Sequence, residues 1–392
     1  MSNFFDVIGS RLIDAHKYRP SGSSGKIFHC TCGQPVFLDN TQCLACGLQL
    51  GYAPDLGEVH ALTPGTAPDT WVMTDAGDDT VYKRCANLTM PAVCNWLVPA
   101  ADGHDLCLAC QLNRMIPDLS IAENGERWNK LESAKRRLVA QLLTLGLPVK
   151  PAIVPHDGGL TFDLLGPDEN GKAPLTGHDE GVITINVLEA DDAYRAKLRE
   201  DMHEPYRTLL GHFRHEVGHY YWDVLIKPTR WLAHFREVFG DERQDYAEAL
   251  KNNYENGPPE DWPTRFISTY AACHPWEDWA ETWAHYLHMM DTLDTALSFG
   301  ISTRVVKRDY ASFTKDVLID KDAPDAEEFL NLVNTWVELT GVLNELSRSM
   351  GQRDFYPFVL PHAVVGKLQF VHRVVKSRSL ALSAAAEAAD DA

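Results

Sequence analysis

Eight of the chain's nine cysteines lie within residues 30–110, and this crowding constrains the fold more than any other feature of the 392-residue sequence. They form two sets of four. Cys30, Cys32, Cys43 and Cys46 make a C-x-C and a C-x-x-C pair, ten residues apart. Each second cysteine is followed by a glycine, Gly33 and Gly47, the residue that takes left-handed turn conformations most cheaply. Cys85, Cys94, Cys107 and Cys110 follow, with C-x-x-C spacing only in the last pair, so the two sets are not an internal repeat. Whether such sulfurs pair or hold metal depends on the compartment. Asp6, Arg11 and Asp14 interrupt the only apolar stretch near the N-terminus, which argues against a secretory signal. No apolar run approaches the roughly 20 residues of a membrane span. The expected location is the cytoplasm, where thiols stay reduced, and the cysteines are then read as two structural zinc sites. His29 stays open as a substitute for Cys30, and His104 as one in the second set.

The first set resembles a zinc ribbon or a rubredoxin-like knuckle pair. Residues 27–118 are therefore expected to form a β-rich double zinc-ribbon module behind a flexible segment, residues 1–26. The formal net charge is −19, and acidic residues outnumber Lys and Arg between the first and last of these cysteines. Such a chain repels nucleic-acid phosphate and anionic membranes, so neither is an expected partner. Docking of a protein partner, or a purely structural role, suits the ribbons better.

Residues 119–150 read as a linking helix. Trp128, Leu131, Leu138, Leu142 and Leu145 recur near the helical period, with Gly146 as a stop and Pro148 beyond. Its basic run, Lys135-Arg136-Arg137, is expected on a solvated face. Residues 151–376 read as the main domain. It should open with a hairpin turning at Gly158-Gly159 and with the alternating strand GVITINVLEA. Beyond Asp191 helices are expected, one starting at Pro205 and others near 229–239, 243–255, 275–291, 326–346 and 360–375. Six of the ten tryptophans, Trp222 to Trp283, should form an aromatic core. The Ala-rich acidic tail, residues 377–392, is expected to be disordered.

Inside HFRHEVGHYYWD, residues 212–223, lies His-Glu-x-x-His: His215, Glu216 and His219. On a helix, positions four apart share a face, so both imidazoles can reach one zinc ion. Glu216 is placed to act as general base toward a water on that ion. A catalytic zinc usually has a third protein ligand. Position 222 holds Trp rather than the Gly that a metzincin needs, so that arrangement is excluded. Asp223 would lie more than about 10 Å from the first ligand along a straight helix, which leaves it a salt-bridge or outer-shell role. HPWEDWAETWAHYLH, residues 274–288, is the better source. Pro275 opens a helix on which Glu277 and Glu281 share a face. His285 and His288 are held in reserve.

HEVGH followed some sixty residues later by E-x-x-x-E resembles the gluzincin metallopeptidases. The local pattern is similar to that of the anthrax lethal factor catalytic domain. The whole layout resembles a bacterial family called putative zinc-binding metallopeptidases. That resemblance implies an α+β fold: a mostly helical zincin-like peptidase domain with a small sheet, preceded by the ribbon module. It implies Glu277 as third zinc ligand, Glu281 as the acid that orients a ligand histidine, and Tyr270, seven residues before Glu277, as oxyanion donor. It also implies that GVITINVLEA pairs with an extended substrate along its edge. The expected function is zinc-dependent hydrolysis of a peptide or protein substrate, with one catalytic and two structural zinc ions. The rival is a zinc-stabilised binding module with little turnover.

Overall fold

The computed structural model describes residues 26–74, 80–154, 157–202, 204–301, 303 and 311–390. The expected flexible segment, residues 1–26, lies outside these except for Lys26. Two compact units divide the described chain. One comprises residues 26–202 and 208–213, the other 204–207 and 214–390.

The first unit begins with a short hairpin, β1 (Phe28–His29) and β2 (Pro35–Val36). A five-stranded antiparallel sheet follows in sequential order: β3 (Gln49–Ala53), β4 (Glu58–Pro64), β5 (Trp71–Met73), β6 (Tyr82–Arg84) and β7 (Leu97–Pro99). Tyr52 of β3 also bridges Trp96, just ahead of β7, which curls the sheet back on itself. Ala53, Leu62, Met73, Tyr82 and Leu97 fill its core. A single turn, α1 (Leu108–Gln111), leads into β8 (Asn113–Met115) and the long helix α2 (Asn124–Thr144). Then come β9 (Thr161–Leu165), β10 (Gly177–Asp179), β11 (Val182–Asn186) and α3 (Asp192–Asp201).

α2 buries Trp128, Leu131, Leu138 and Leu142, as the periodicity requires, and Gly146 closes it at φ 67°. The basic run is not solvated throughout, because Lys135 and Arg136 are buried. Lys135 Nζ donates to Glu132 Oε1 at 2.8 Å and to Asn113 Oδ1, over the Phe162 ring. Arg136 donates to the Ala92 carbonyl at 3.1 Å and pairs with Asp39 at 3.3 Å. Both cations are buried because each finds acceptors there.

Among the described residues the hairpin expected at Gly158-Gly159 does not form. Pro151 bridges Leu160 in parallel, and β9 pairs in parallel with β8 and β11. The sheet order is β10-β11-β9-β8, so Val182–Asn186 of GVITINVLEA form an interior strand, paired with β9 along its length and with β10 over Val182–Thr184, and Val187–Ala190 turn into a 3-10 helix. Over Val182–Thr184 its backbone is therefore closed to an extended peptide. The alternation itself is present: Ile183 and Ile185 are buried, and Val182 and Thr184 are half-buried.

The second unit is helical. α4 (Leu209–Tyr221) starts four residues after Pro205 and gives its first residues to the first unit. It relaxes into a π turn, Trp222–Ile226. Then follow α5 (Trp231–Val238), α6 (Tyr246–Asn256), α7 (Trp262–Arg265), α8 (Pro275–Ser298), α9 (Ala326–Ser349) and α10 (His362–Asp390). α10 runs through most of the tail expected to be disordered, consistent with the high helix propensity of alanine. Trp279 and Trp283 are fully buried against Tyr221, Phe235, Phe239 and Phe370. This aromatic core lies directly behind the HEVGH helix.

Candidate metal centres

α4 and α8 cross closely at Gly218. A Cβ there would stand 3.0 Å from Ala280 Cα and 3.2 Å from the Trp283 ring, so only glycine allows this approach without displacement. Trp279 Nε1 donates to the Gly218 carbonyl at 2.8 Å across the same crossing. The N-terminus of α8 is set by His274, whose Nδ1 accepts from the Trp276 N–H at 3.1 Å, and by Pro275 in the first turn. The crossing brings Glu277 opposite the HEVGH face.

His215, His219 and Glu277, all buried, place their ligand atoms within 4.8 Å of one another. Glu277 Oε2 lies 3.1 Å from His215 Nε2 and 3.5 Å from His219 Nε2. Ligands about 2.0 Å from a tetrahedral zinc stand about 3.3 Å apart, which these separations bracket.

The hydrogen bonding also favours a cation. His215 Nδ1 is 2.7 Å from Glu281 Oε1. A carboxylate only accepts, so Nδ1 carries the proton and, in the neutral ring, Nε2 presents a lone pair. That lone pair meets Glu277 Oε2, another acceptor. A proton between them satisfies one pair, whereas a metal ion satisfies all three atoms. Burial alone pushes the His215 pKa down, but Glu277 and Glu281 overcome it and hold it well above the usual range. Burial likewise pushes Glu277 up, while His219 and His215 hold it well below. The residues fit zinc.

Around this centre, Ser268 Oγ donates to Glu281 Oε2 at 2.6 Å. Tyr246 Oη donates to Glu277 Oε1 at 2.6 Å. Trp276 packs on His219 at 4.2 Å between ring centroids. The Tyr270 ring stands 5.9 Å from His215. Burial and the Glu277 charge push both phenols up. Glu216 is buried next to His215. Asp223 sits in the π turn and pairs with Lys227 at 3.1 Å. His285 faces the Tyr356 hydroxyl at 2.6 Å, and His288 accepts from Arg214 at 2.7 Å, so both reserve histidines are engaged elsewhere. Tyr246 and Ser268 escaped the sequence reading, and Trp276 was expected only as part of the aromatic core. Tyr246 is 31 residues from Glu277, and no short spacing links the two.

The two cysteine sets also close. Cys30 Sγ is 3.5 Å from Cys46 Sγ, Cys32 is 3.7 Å from Cys43, and Cys94 is 3.6 Å from Cys107. Disulfide sulfurs stand near 2.05 Å. Sulfurs about 2.3 Å from a tetrahedral zinc stand about 3.8 Å apart, near the spacing seen. Cys85 and Cys110 complete the second group. Gly33 and Gly47 take φ 85° and 80°, the left-handed conformations their positions require. Val93, just before Cys94, is held at φ 46°, a strained conformation for a β-branched residue. His29 and His104 are exposed and belong to neither group.

Residues 124–374 match the model of a family described as putative zinc-binding metallo-peptidase, and residues 27–121 match a zinc-ribbon domain. Uncharacterized proteins of Mycobacterium bovis and Mycobacterium tuberculosis are 43% identical over 350 residues, covering 89% of this chain and 94% of theirs. No solved structure matches significantly. With a fold in which the expected zinc ligands converge, the chain belongs to the putative zinc-binding metallo-peptidase family and carries a zinc-ribbon domain ahead of its peptidase region.

Proposed function

We propose that the protein is a zinc metallopeptidase that hydrolyses peptide bonds in a peptide or protein substrate. The observation that carries this reading is the convergence of His215, His219 and Glu277, with Glu216 buried beside them on the same helix. His215, His219 and Glu277 would hold a zinc ion, which would supply a Lewis acid able to lower the pKa of a water toward about 7 and to polarise a carbonyl. Glu216 takes the proton of the attacking water and returns it to the leaving amine nitrogen. Glu281, fixed by Ser268, holds the His215 ring with Nε2 toward the centre. Tyr270 donates to the oxygen that becomes negative as the carbonyl is attacked. The eight ribbon cysteines would hold two further zinc ions, for three per chain, and would keep them in a reducing compartment such as the cytoplasm. Among the described residues no helix is long and apolar enough to cross a membrane.

The test is cleavage of a denatured-proteome peptide library by the wild-type protein and by Glu216→Gln. Cleavage that disappears in the variant is expected. Equal cleavage by both removes Glu216 from the chemistry. No cleavage by either favours the binding-module alternative.

A further inference from the structure

Tyr246 reaches the metal centre from an unusual place. It opens α6, a helix with no buried residue, and is itself 37% exposed. Its ring stands 5.2 Å from His274 and 6.2 Å from Trp276, and its hydroxyl donates to Glu277 Oε1 at 2.6 Å. The other oxygen, Oε2, faces both histidines. A carboxylate can offer a metal one oxygen or two. Two oxygens from Glu277, with two imidazoles, would complete four-fold coordination and leave no position for the reacting water. A hydrogen bond occupies Oε1 and draws its charge away from the ion.

We propose that Tyr246 is a positioning residue: by holding Oε1 it keeps Glu277 a one-oxygen ligand and so keeps the fourth position of the centre open. It does for the carboxylate ligand what Glu281 does for His215, and outer partners of this kind typically change metal affinity by about 10–100-fold. The inference rests on Glu277 being a ligand, as proposed above.

The experiment compares full-length wild type with Tyr246→Phe, Tyr254→Phe and Glu277→Gln. Tyr254 lies on the same helix, is 64% exposed, and serves as the control. Two quantities are read: zinc affinity of the His–Glu centre by competition with a chromophoric chelator, and the visible spectrum of cobalt(II) placed in that centre while the cysteine sites keep zinc. Tyr246→Phe should bind zinc about 10–100-fold more weakly. Its cobalt band should also change in position and shape, as the freed carboxylate oxygen takes the place of the water on the four-coordinate ion. Tyr254→Phe should change neither. Wild-type affinity and spectrum in Tyr246→Phe overturn the proposal. So does weaker binding with an unchanged spectrum, which is what general loosening of the fold would produce. Glu277→Gln separates the two levels of argument. If it binds zinc like the wild type, the ligand assignment itself fails. If it loses zinc while Tyr246→Phe does not, only the role of Tyr246 fails.

Discussion

Glu277 and Glu281, both on α8, stand differently toward the HEVGH histidines. Glu277 presents Oε2 to both histidines, whereas Glu281 reaches only the far nitrogen of His215. Glu277→Gln should therefore lose most zinc affinity at this centre and nearly all hydrolysis. Glu281→Gln should lose about 10–100-fold, the range for an outer partner. Chelator competition on both variants checks this, and retained affinity in Glu277→Gln combined with loss in Asp223→Asn would identify the wrong third ligand. Tyr270→Phe should fold normally and hold zinc, while kcat falls by roughly 10²–10³, the usual effect of removing one oxyanion donor. A changed melting temperature with unchanged kcat would make Tyr270 a packing residue. His215 with His219, and Glu277 with Glu281, were legible as pairs because helical spacing puts each pair on a common face. The expected roles of Glu277 and Glu281 came from the resemblance to the gluzincins, and that of Glu216 from its place in the His-Glu-x-x-His motif. Tyr246 and Ser268 were not legible, because they approach the ligands from outside α4 and α8 and no short periodicity connects them.

Close approach governs the elements. Gly→Ala within a helix normally stabilises by about 1 kcal/mol. At Gly218 the added methyl would meet Ala280 Cα at 3.0 Å and the Trp283 ring at 3.2 Å, both held in a packed core. Overpacking costs about 1–3 kcal/mol, so Gly218→Ala should lower the denaturation midpoint rather than raise it. In α2 the buried Lys135–Glu132 pair makes the opposite kind of demand. Glu132 Oε1 also accepts from Trp128 Nε1 at 3.2 Å and from Asn113 Nδ2 at 2.8 Å. Lys135→Met would leave the carboxylate buried without its cation and should cost about 3–5 kcal/mol. The double change with Glu132→Leu should restore most of that loss in urea unfolding. An additive loss in the double variant would show that the two side chains act independently. The solvated face expected for this run followed from charge alone. Burial was decided by acceptors on other segments, Asn113 for Lys135 and Ala92 with Asp39 for Arg136.

Across the whole molecule the cysteine sets set the metal demand. Three zinc ions per chain are expected by elemental analysis, and one per chain would count against both ribbons. Cys46→Ser should release one zinc and loosen the β1–β2 region, while the HEVGH centre stays loaded, because structural zinc contributes on the order of 10–16 kcal/mol in small modules. Loss of the HEVGH metal in this variant would show that the sites are energetically coupled. What the sequence determined by itself were the features carried by local chemistry: cysteine pairs with glycine turns, two histidines one helical turn apart, an apolar stripe along α2, and an α+β character. These depend on residues within a few positions of each other, and the backbone period alone brings them together. Only the tertiary structure decided the parallel pairing that places β11 inside its sheet, the burial of Lys135 and Arg136, the α4–α8 crossing through Gly218, and the arrival of Tyr246 at Glu277. Each of these joins segments far apart in the chain, where strand pairing, close packing and hydrogen-bond satisfaction select the contact.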